Sequence, residues 1–190
     1  MTTTFAFDTA TSTTVCALVR DGEVLGERFA DARSVLAAAD DLVRSAGLGV
    51  FDLDALVVGT GPGSFTSIRI GLATARGLAL SLGIPTAGVS TLQAFAGGTA
   101  VIDARRGEVF VEGPAVIRPE ELEVAGLRLV GDGAVRYRRL FEEAGGEVPP
   151  DDDPAHLPSA ALLAARAGSF GPAAGLEPLY VRDPDAIPSR

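Results

Sequence analysis

The segment from Ser64 to Leu82 constrains the fold of this chain more than any other. Ile68, Ile70, Leu72, Ala73, Ala75, Leu78, Ala79, Leu80 and Leu82 leave it no wide polar face, and a helix apolar around its whole circumference is covered on more than one side. A short buried strand, Ala55 to Val58, precedes it. Another, Thr86 to Val89, follows after the helix-stopping Gly83 and Pro85. One side of the helix therefore belongs on a sheet, which makes the chain an α/β protein. Along another side Gly71, Ala75 and Ala79, spaced by four and with Gly77 nearby, form a stripe that lets a neighbour approach closely. That neighbour is either another helix of this chain or another subunit, and the pattern leaves both open.

The rest of the first half fits the same architecture. Phe5 to Phe7 ends at Asp8, Thr13 to Val19 is β-branched, Asp21-Gly22 is a hairpin signal, and Val24 to Ala30 completes a three-stranded meander. Val35, Leu36, Ala39, Leu42, Val43 and Ala46 recur at helical spacing and predict a helix from Ser34 to Ala46, stopped by Gly47. Ser90-Thr91 opens a short helix to Ala96, and Gly98 marks a boundary between two lobes, 1–98 and 99–190. The second lobe begins as the first does: Val101-Ile102-Asp103 leads through Ala104-Arg105-Arg106-Gly107 into Val109-Phe110-Val111, a weak internal repeat. Beyond it the sequence predicts a strand over Leu127 to Val130, helices over Ala134 to Ala144 and Ser159 to Ala167, and a closing strand over Leu179 to Val181. Gly145 to Pro158 reads as a loop, with its lone histidine, His156, solvated.

Composition narrows the chemistry. Hydrophobic residues at 47% and a mean hydropathy of +0.28 exclude a disordered chain. The longest apolar region, Ile68 to Val89, is broken by Arg69 and Arg76 and fails the roughly 18-residue uncharged test for a membrane span. The first residues have no basic region before Asp8, so no secretory signal is read and the expected location is the cytoplasm. Cys16 reads as a small buried apolar residue. The basic residues are all arginine, 16 against 25 acids, for a net charge of -9. Phosphate binding draws its affinity from cations, so any contact with RNA is expected through a partner. One histidine cannot build a His-rich metal site, and neither metal nor cofactor is expected.

The glycine cluster Gly59-Thr60-Gly61-Pro62-Gly63-Ser64 lies between strand and helix, where phosphate loops occur. A Walker loop needs a lysine that the chain lacks, and a dinucleotide fingerprint needs glycine where Ser64 stands. A nucleophile elbow fails as well, because Phe65 follows Ser64. The cluster is expected to be a tight turn in which Gly61 and Gly63 take unusual dihedrals and Ser64 caps the helix. Asp8 and Asp103 each end the first strand of their lobe and should point into the cleft between lobes, where paired carboxylates can organise magnesium. With Thr9 and Arg105 they outline a possible residual nucleotide cleft. Against nucleotide chemistry, Thr9-Ala10-Thr11-Ser12 lacks the glycine that brings phosphate to a backbone.

The motifs Phe7-Asp8-Thr9-Ala10-Thr11, Gly59 to Thr66 running into Arg69-Ile70-Gly71-Leu72-Ala73, Gly88-Val89-Ser90-Thr91-Leu92, Ile102-Asp103-Ala104-Arg105-Arg106-Gly107-Glu108-Val109 and Pro178-Leu179-Tyr180-Val181-Arg182 resemble the TsaB (YeaZ-like) family. Its members are dimerization subunits of the bacterial tRNA threonylcarbamoyladenosine machinery. The resemblance implies a two-lobed fold of the actin, sugar kinase and Hsp70 (ribonuclease H-like) superfamily, with an abbreviated second lobe. It also implies a non-catalytic scaffold that pairs with the transferase TsaD, is joined by the ATPase TsaE, forms a possible homodimer and meets tRNA only indirectly. Pairing in the family uses first-lobe helices, which places the expected interface on Val35, Leu36, Ala39, Leu42, Ile68, Gly71, Leu72, Ala75, Leu78 and Ala79. TsaD-like proteins carry a His-x-x-x-His metal pair that this chain cannot supply. The alternative from another class is an ATP-dependent phosphotransferase of the same fold, with Asp8 and Asp103 holding magnesium.

Overall fold

In the first strand Phe5 and Phe7 point to one face and Ala6 to the other, and all three are fully buried. A strand buried on both faces lies inside a sheet covered on both sides. The computed structural model, which describes residues 1–181, shows that arrangement. β1 (Thr3–Asp8) pairs antiparallel with β2 (Thr14–Arg20), and β2 with β3 (Glu23–Ala30). The chain then turns through α1 (Val35–Ser45) into β4 (Ala55–Gly59), which lies parallel to β1. It continues through α2 (Phe65–Leu82) into β5 (Thr86–Val89), parallel to β4. The result is a mixed five-stranded sheet in the order β3-β2-β1-β4-β5.

Each face of this sheet has its own core. On one, Phe5, Phe7, Cys16, Leu18, Leu56 and Val58 meet α1 and α2 through Val35, Ala39, Leu42, Ile68, Leu72, Ala75 and Ala79. On the other, Ala6, Val15, Ala17 and Val57 meet Ala160 and Leu163 together with Ile102 and Phe110. Cys16 is buried among these side chains, and burial pushes its thiol up to about 12, aided by the charge of Glu27. This is the small apolar residue expected, and an unreactive one.

After a 3-10 turn at Thr91–Ala94 come β6 (Thr99–Ala100), β7 (Ile102–Arg105), β8 (Glu108–Val111), β9 (Ala115–Ile117) and β10 (Leu129–Val130). β7, β8 and β9 form an antiparallel sheet, while β6 pairs parallel with β10. The helix expected over Ala134 to Ala144 is two helices, α3 (Asp132–Arg136) and α4 (Arg138–Glu143), broken at Tyr137, whose φ is -109° and ψ 21°. The break lets Arg138 turn away and bond the carbonyls of Val148 and Pro149 and the carboxylate of Asp151. α5 (Ala160–Arg166) is capped by Ser159, whose hydroxyl accepts from the Leu162 N–H. Although α5 belongs to the second half of the sequence, it lies on the five-stranded sheet.

Two expectations are corrected. Leu179 to Val181 is not a strand: Leu179 donates its N–H to the Thr60 carbonyl at 2.8 Å, in a segment without regular structure. Arg182, which closes that motif, lies outside the described residues. His156 is buried rather than solvated, because its ring closes two backbone gaps: Nδ1 accepts the Gly131 N–H and Nε2 donates to the Pro149 carbonyl, each at 3.1 Å. A lone histidine in an acidic loop gives no local sign of those two partners.

Candidate functional site

The glycine turn between β4 and α2 forms as its composition requires. Gly61 has a φ of 101°, a region costly for side-chain-bearing residues. Gly63 is required for a different reason from the one expected: its φ is not positive, but a Cβ there would stand 2.2 Å from the Ala10 carbonyl oxygen. That carbonyl accepts the Ser64 N–H at 2.7 Å, and the Ser64 hydroxyl accepts from Ser67 N–H at the start of α2. The turn is thus clamped to the loop after β1 by its own backbone.

Asp8, at the end of β1, does not reach open space. It is 1% exposed, and its carboxylate lies over Gly59, where a Cβ would fall 1.9 Å from Oδ2. Oδ1 accepts the Ala10 N–H at 2.6 Å, whereas Oδ2 has no partner in hydrogen-bonding geometry among the described residues. Burial pushes this carboxyl up to about 6, against the opposing pull of the Ala10 N–H and the nearby Thr91 hydroxyl. The expectation that Asp8 points into a cleft is therefore corrected: a glycine on the adjacent strand gives the carboxylate room to fold inward.

A cleft of about 470 Å³ does open beside it, lined by Thr9, Thr11, Ser12, Asp103, Arg105 and Asp132 among others. Thr9 is held there by its hydroxyl, which donates to the Ser67 carbonyl at 2.7 Å. Asp103 is spoken for: its Oδ2 lies 3.3 Å from both Arg105 and Arg136, and its N–H donates to Asp132 Oδ1 at 2.9 Å. Arg105 and Arg106 both take positive φ in the β7–β8 turn. Asp132, missed in the sequence, is raised by burial and by the neighbouring charge of Asp103, although the Asp103 N–H and Arg105 oppose that rise. Ser12 reaches across to it at 3.4 Å. The cleft brings Thr9, Asp103 and Arg105 together but leaves Asp8 out. No group of three or more His, Cys, Asp or Glu residues suited to a metal occurs among the described residues.

The helix surfaces also differ from expectation. Val35, Ala39, Leu42, Ile68, Gly71, Leu72, Ala75 and Ala79 are buried in this chain's own core. Leu78 is partly buried against it, and only Leu36, at 55% exposure, stands free. The small-residue stripe faces inward because Gly71 sits on Thr9, where a Cβ would come within 2.4 Å of its hydroxyl oxygen. The outward side of α2 carries Phe65, Arg69, Ala73, Gly77 and Leu80. Leu80 is 85% exposed, and a Cβ on Gly77 would meet nothing within 4 Å. At the start of this face the Arg69 guanidinium lies 3.8 Å over the Phe65 ring, and its Nε donates to the Tyr180 hydroxyl at 2.9 Å. Arg76 bonds the Leu176 carbonyl, so the segment around 176–180 is strapped along α2.

A family profile described as TsaD: tRNA N6-adenosine threonylcarbamoyltransferase matches residues 30–123. The tRNA threonylcarbamoyladenosine biosynthesis protein TsaB of Escherichia coli (strain K12) is 34% identical across 94% of this chain and 94% of its own. The chain belongs to the TsaB family. An uncharacterised protein of Mycobacterium tuberculosis (strain H37Rv) is 39% identical over 99% of this chain and 95% of its own. Among solved structures, YeaZ from Pseudomonas aeruginosa superposes with a TM-score of 0.79 at 28% identity, covering 95% of this chain and 100% of that one. The mixed sheet of this TsaB-family chain is framed by helices on both faces. No helix among the described residues is long and apolar enough to cross a membrane.

Proposed function

We propose that this TsaB-family chain is a non-catalytic subunit in the biosynthesis of tRNA threonylcarbamoyladenosine, acting as the docking partner of a TsaD-type transferase. In this reading the fold is two-lobed and of the actin, sugar kinase and Hsp70 type. Residues 1–98 form the first lobe, and 99–190 form a smaller second lobe whose α5 crosses back onto the first sheet. The outward face of α2 carries the proposal. Phe65, Ala73, Gly77 and Leu80 present apolar surface on a helix whose inner stripe is already filled, and a solvent-facing patch of that kind marks an association site. The docking surface is accordingly this outer face together with Leu36, in place of the buried stripe. A TsaE-type ATPase, or a second copy in the absence of TsaD, are the further partners in this reading. The cleft at Thr9, Asp103 and Arg105 is the vestige of a nucleotide groove, and the inward turn of Asp8 weighs against phosphotransfer there.

Two measurements test this. Depletion of the protein, followed by mass spectrometry of tRNA nucleosides, is expected to lower threonylcarbamoyladenosine; an unchanged level refutes the pathway. Leu80→Asp combined with Gly77→Arg is expected to abolish co-purification with TsaD from the same organism while leaving the circular dichroism spectrum intact. Undiminished co-purification would show that the partner docks elsewhere.

A further inference from the structure

On the face of the five-stranded sheet opposite α1 and α2, the helical cover is too short for the strands beneath it. α5 has seven residues and so spans about 10 Å at 1.5 Å per residue, whereas the seven residues of β2 run about 23 Å at roughly 3.3 Å each. Beyond the helix, at the end where β1 and β4 begin, a groove of about 710 Å³ opens over strand residues that are themselves nearly buried, Val19 at 8% and Ala55 at 4% exposure. Its floor includes Val19 and Ala55. One wall is the outer side of α5, with Leu162 and Ala165, continued by Phe170, and the other includes Val24 on the β2–β3 hairpin. Val24 is half exposed and Phe170 nearly so. The α5 wall is fixed from below: Glu27 on the edge strand β3 accepts from both the Ser159 hydroxyl, at 2.9 Å, and the Ala161 N–H, at 3.0 Å.

The charge at this groove is of one sign. Asp21 and Asp54 stand among its lining residues, which include no basic side chain. Each carboxylate spends one oxygen on the backbone at the start of β1, Asp21 on the Thr2 N–H and Asp54 on the Thr3 N–H, both at 2.7 Å. The other oxygen of each has no hydrogen-bond partner among the described residues. A second copy of the chain would bring the same carboxylates and a net charge of -9 to the contact, so like charges oppose self-association here.

We propose that this groove is a docking site for an amphipathic helix of a different protein, one that inserts large apolar side chains over Val19 and Ala55 and sets lysine or arginine beside Asp21 and Asp54. Apolar anchors at helical spacing in a groove are an established recognition mode, and opposite charge at the rim sets its register and specificity. The site lies on the far side of the sheet from α2. It is independent of the proposed TsaD contact, and both faces can be occupied at once.

The test uses the full chain and a fluorescein-labelled peptide helix of leucine and lysine, with a leucine and glutamate helix as its counterpart, read by fluorescence anisotropy. Binding of the lysine peptide is expected to saturate and to weaken at least about tenfold in Ala165→Arg and, separately, in Val24→Arg, while Leu80→Asp on the opposite face leaves it unchanged. The glutamate peptide is expected to bind at least tenfold more weakly. Either of three results overturns the proposal: affinity within twofold of wild type in both groove variants, equal binding of the two peptides, or a wild-type dimer in sedimentation that Val24→Arg and Ala165→Arg both dissolve, which would assign the groove to a second copy. Matching thermal melts of wild type and variants exclude unfolding as the cause of lost binding.

Discussion

Replacing Asp8 with asparagine should stabilise this protein at neutral pH and give no comparable gain in acid. Asp8 holds its proton more tightly folded than unfolded, since burial without a counter-cation raises its carboxyl from 3.8 to about 6. An acid with a raised folded pKa favours the folded state fully below the unfolded value, and that contribution is lost as pH rises through the folded one. The displacement from 3.8 to about 6, at about 1.4 kcal/mol per pH unit, amounts to about 3 kcal/mol of stability that the wild type forfeits above pH 6 to 7. Asparagine keeps an oxygen for the Ala10 N–H, carries no charge to desolvate, and fits the same space over Gly59. Urea unfolding of both proteins at a series of pH values from 4 to 7.5 isolates the effect. Every other titrating group is common to the pair, and any fixed difference in local packing is independent of pH. The difference in unfolding free energy should therefore grow between pH 4 and 7.5 by about 2.5 kcal/mol in favour of the variant, the remainder of the effect lying below pH 4. A difference that stays flat across the range, or grows in favour of wild type, would refute the account of Asp8 as a buried, charge-penalised group.

Three other substitutions probe the same architecture. Ala75→Arg puts a cation into a core position with no exposure, and should cost upwards of about 4 kcal/mol, seen as loss of the cooperative thermal transition. Gly59→Ala should destabilise by about 1–3 kcal/mol because its methyl collides with the Asp8 carboxylate; the cost should shrink in an Asp8→Ala background, as a double-mutant cycle in urea would reveal. His156→Leu strands the buried Gly131 N–H, with an expected loss of about 1–3 kcal/mol by denaturant titration.

The strands and helices of the first half were legible because each signal is local. Phe5 to Phe7 is a short apolar run, Asp21-Gly22 forms the turn from β2 to β3, Ser64 caps α2, and Gly83 ends it at a φ of 69°. The second half was harder. Its strands are two to four residues long, too short for periodicity to speak, and the break at Tyr137 answers to carbonyls at Val148 and Pro149. In the cleft, Thr9, Asp103 and Arg105 could be named from their motifs. Asp132 could not, because its role comes from the Asp103 N–H that it accepts across 29 positions of sequence.

By itself, then, the sequence determined that α2 is a helix apolar on every side, that it sits on a sheet, and that a glycine turn precedes it. These are properties of residues within a few positions of one another. The tertiary structure decided which side of that helix is spent on the chain's own core. Gly71 fits against Thr9, while Phe65 and Arg69 meet Tyr180, which is 111 residues beyond Arg69. Periodicity reports how much of a surface avoids water but carries no record of what covers it, since the covering atoms arrive from distant parts of the chain. For that reason the inner stripe of Gly71, Ala75 and Ala79 and the outer face of Ala73, Gly77 and Leu80 look alike in the sequence and have opposite fates in the fold.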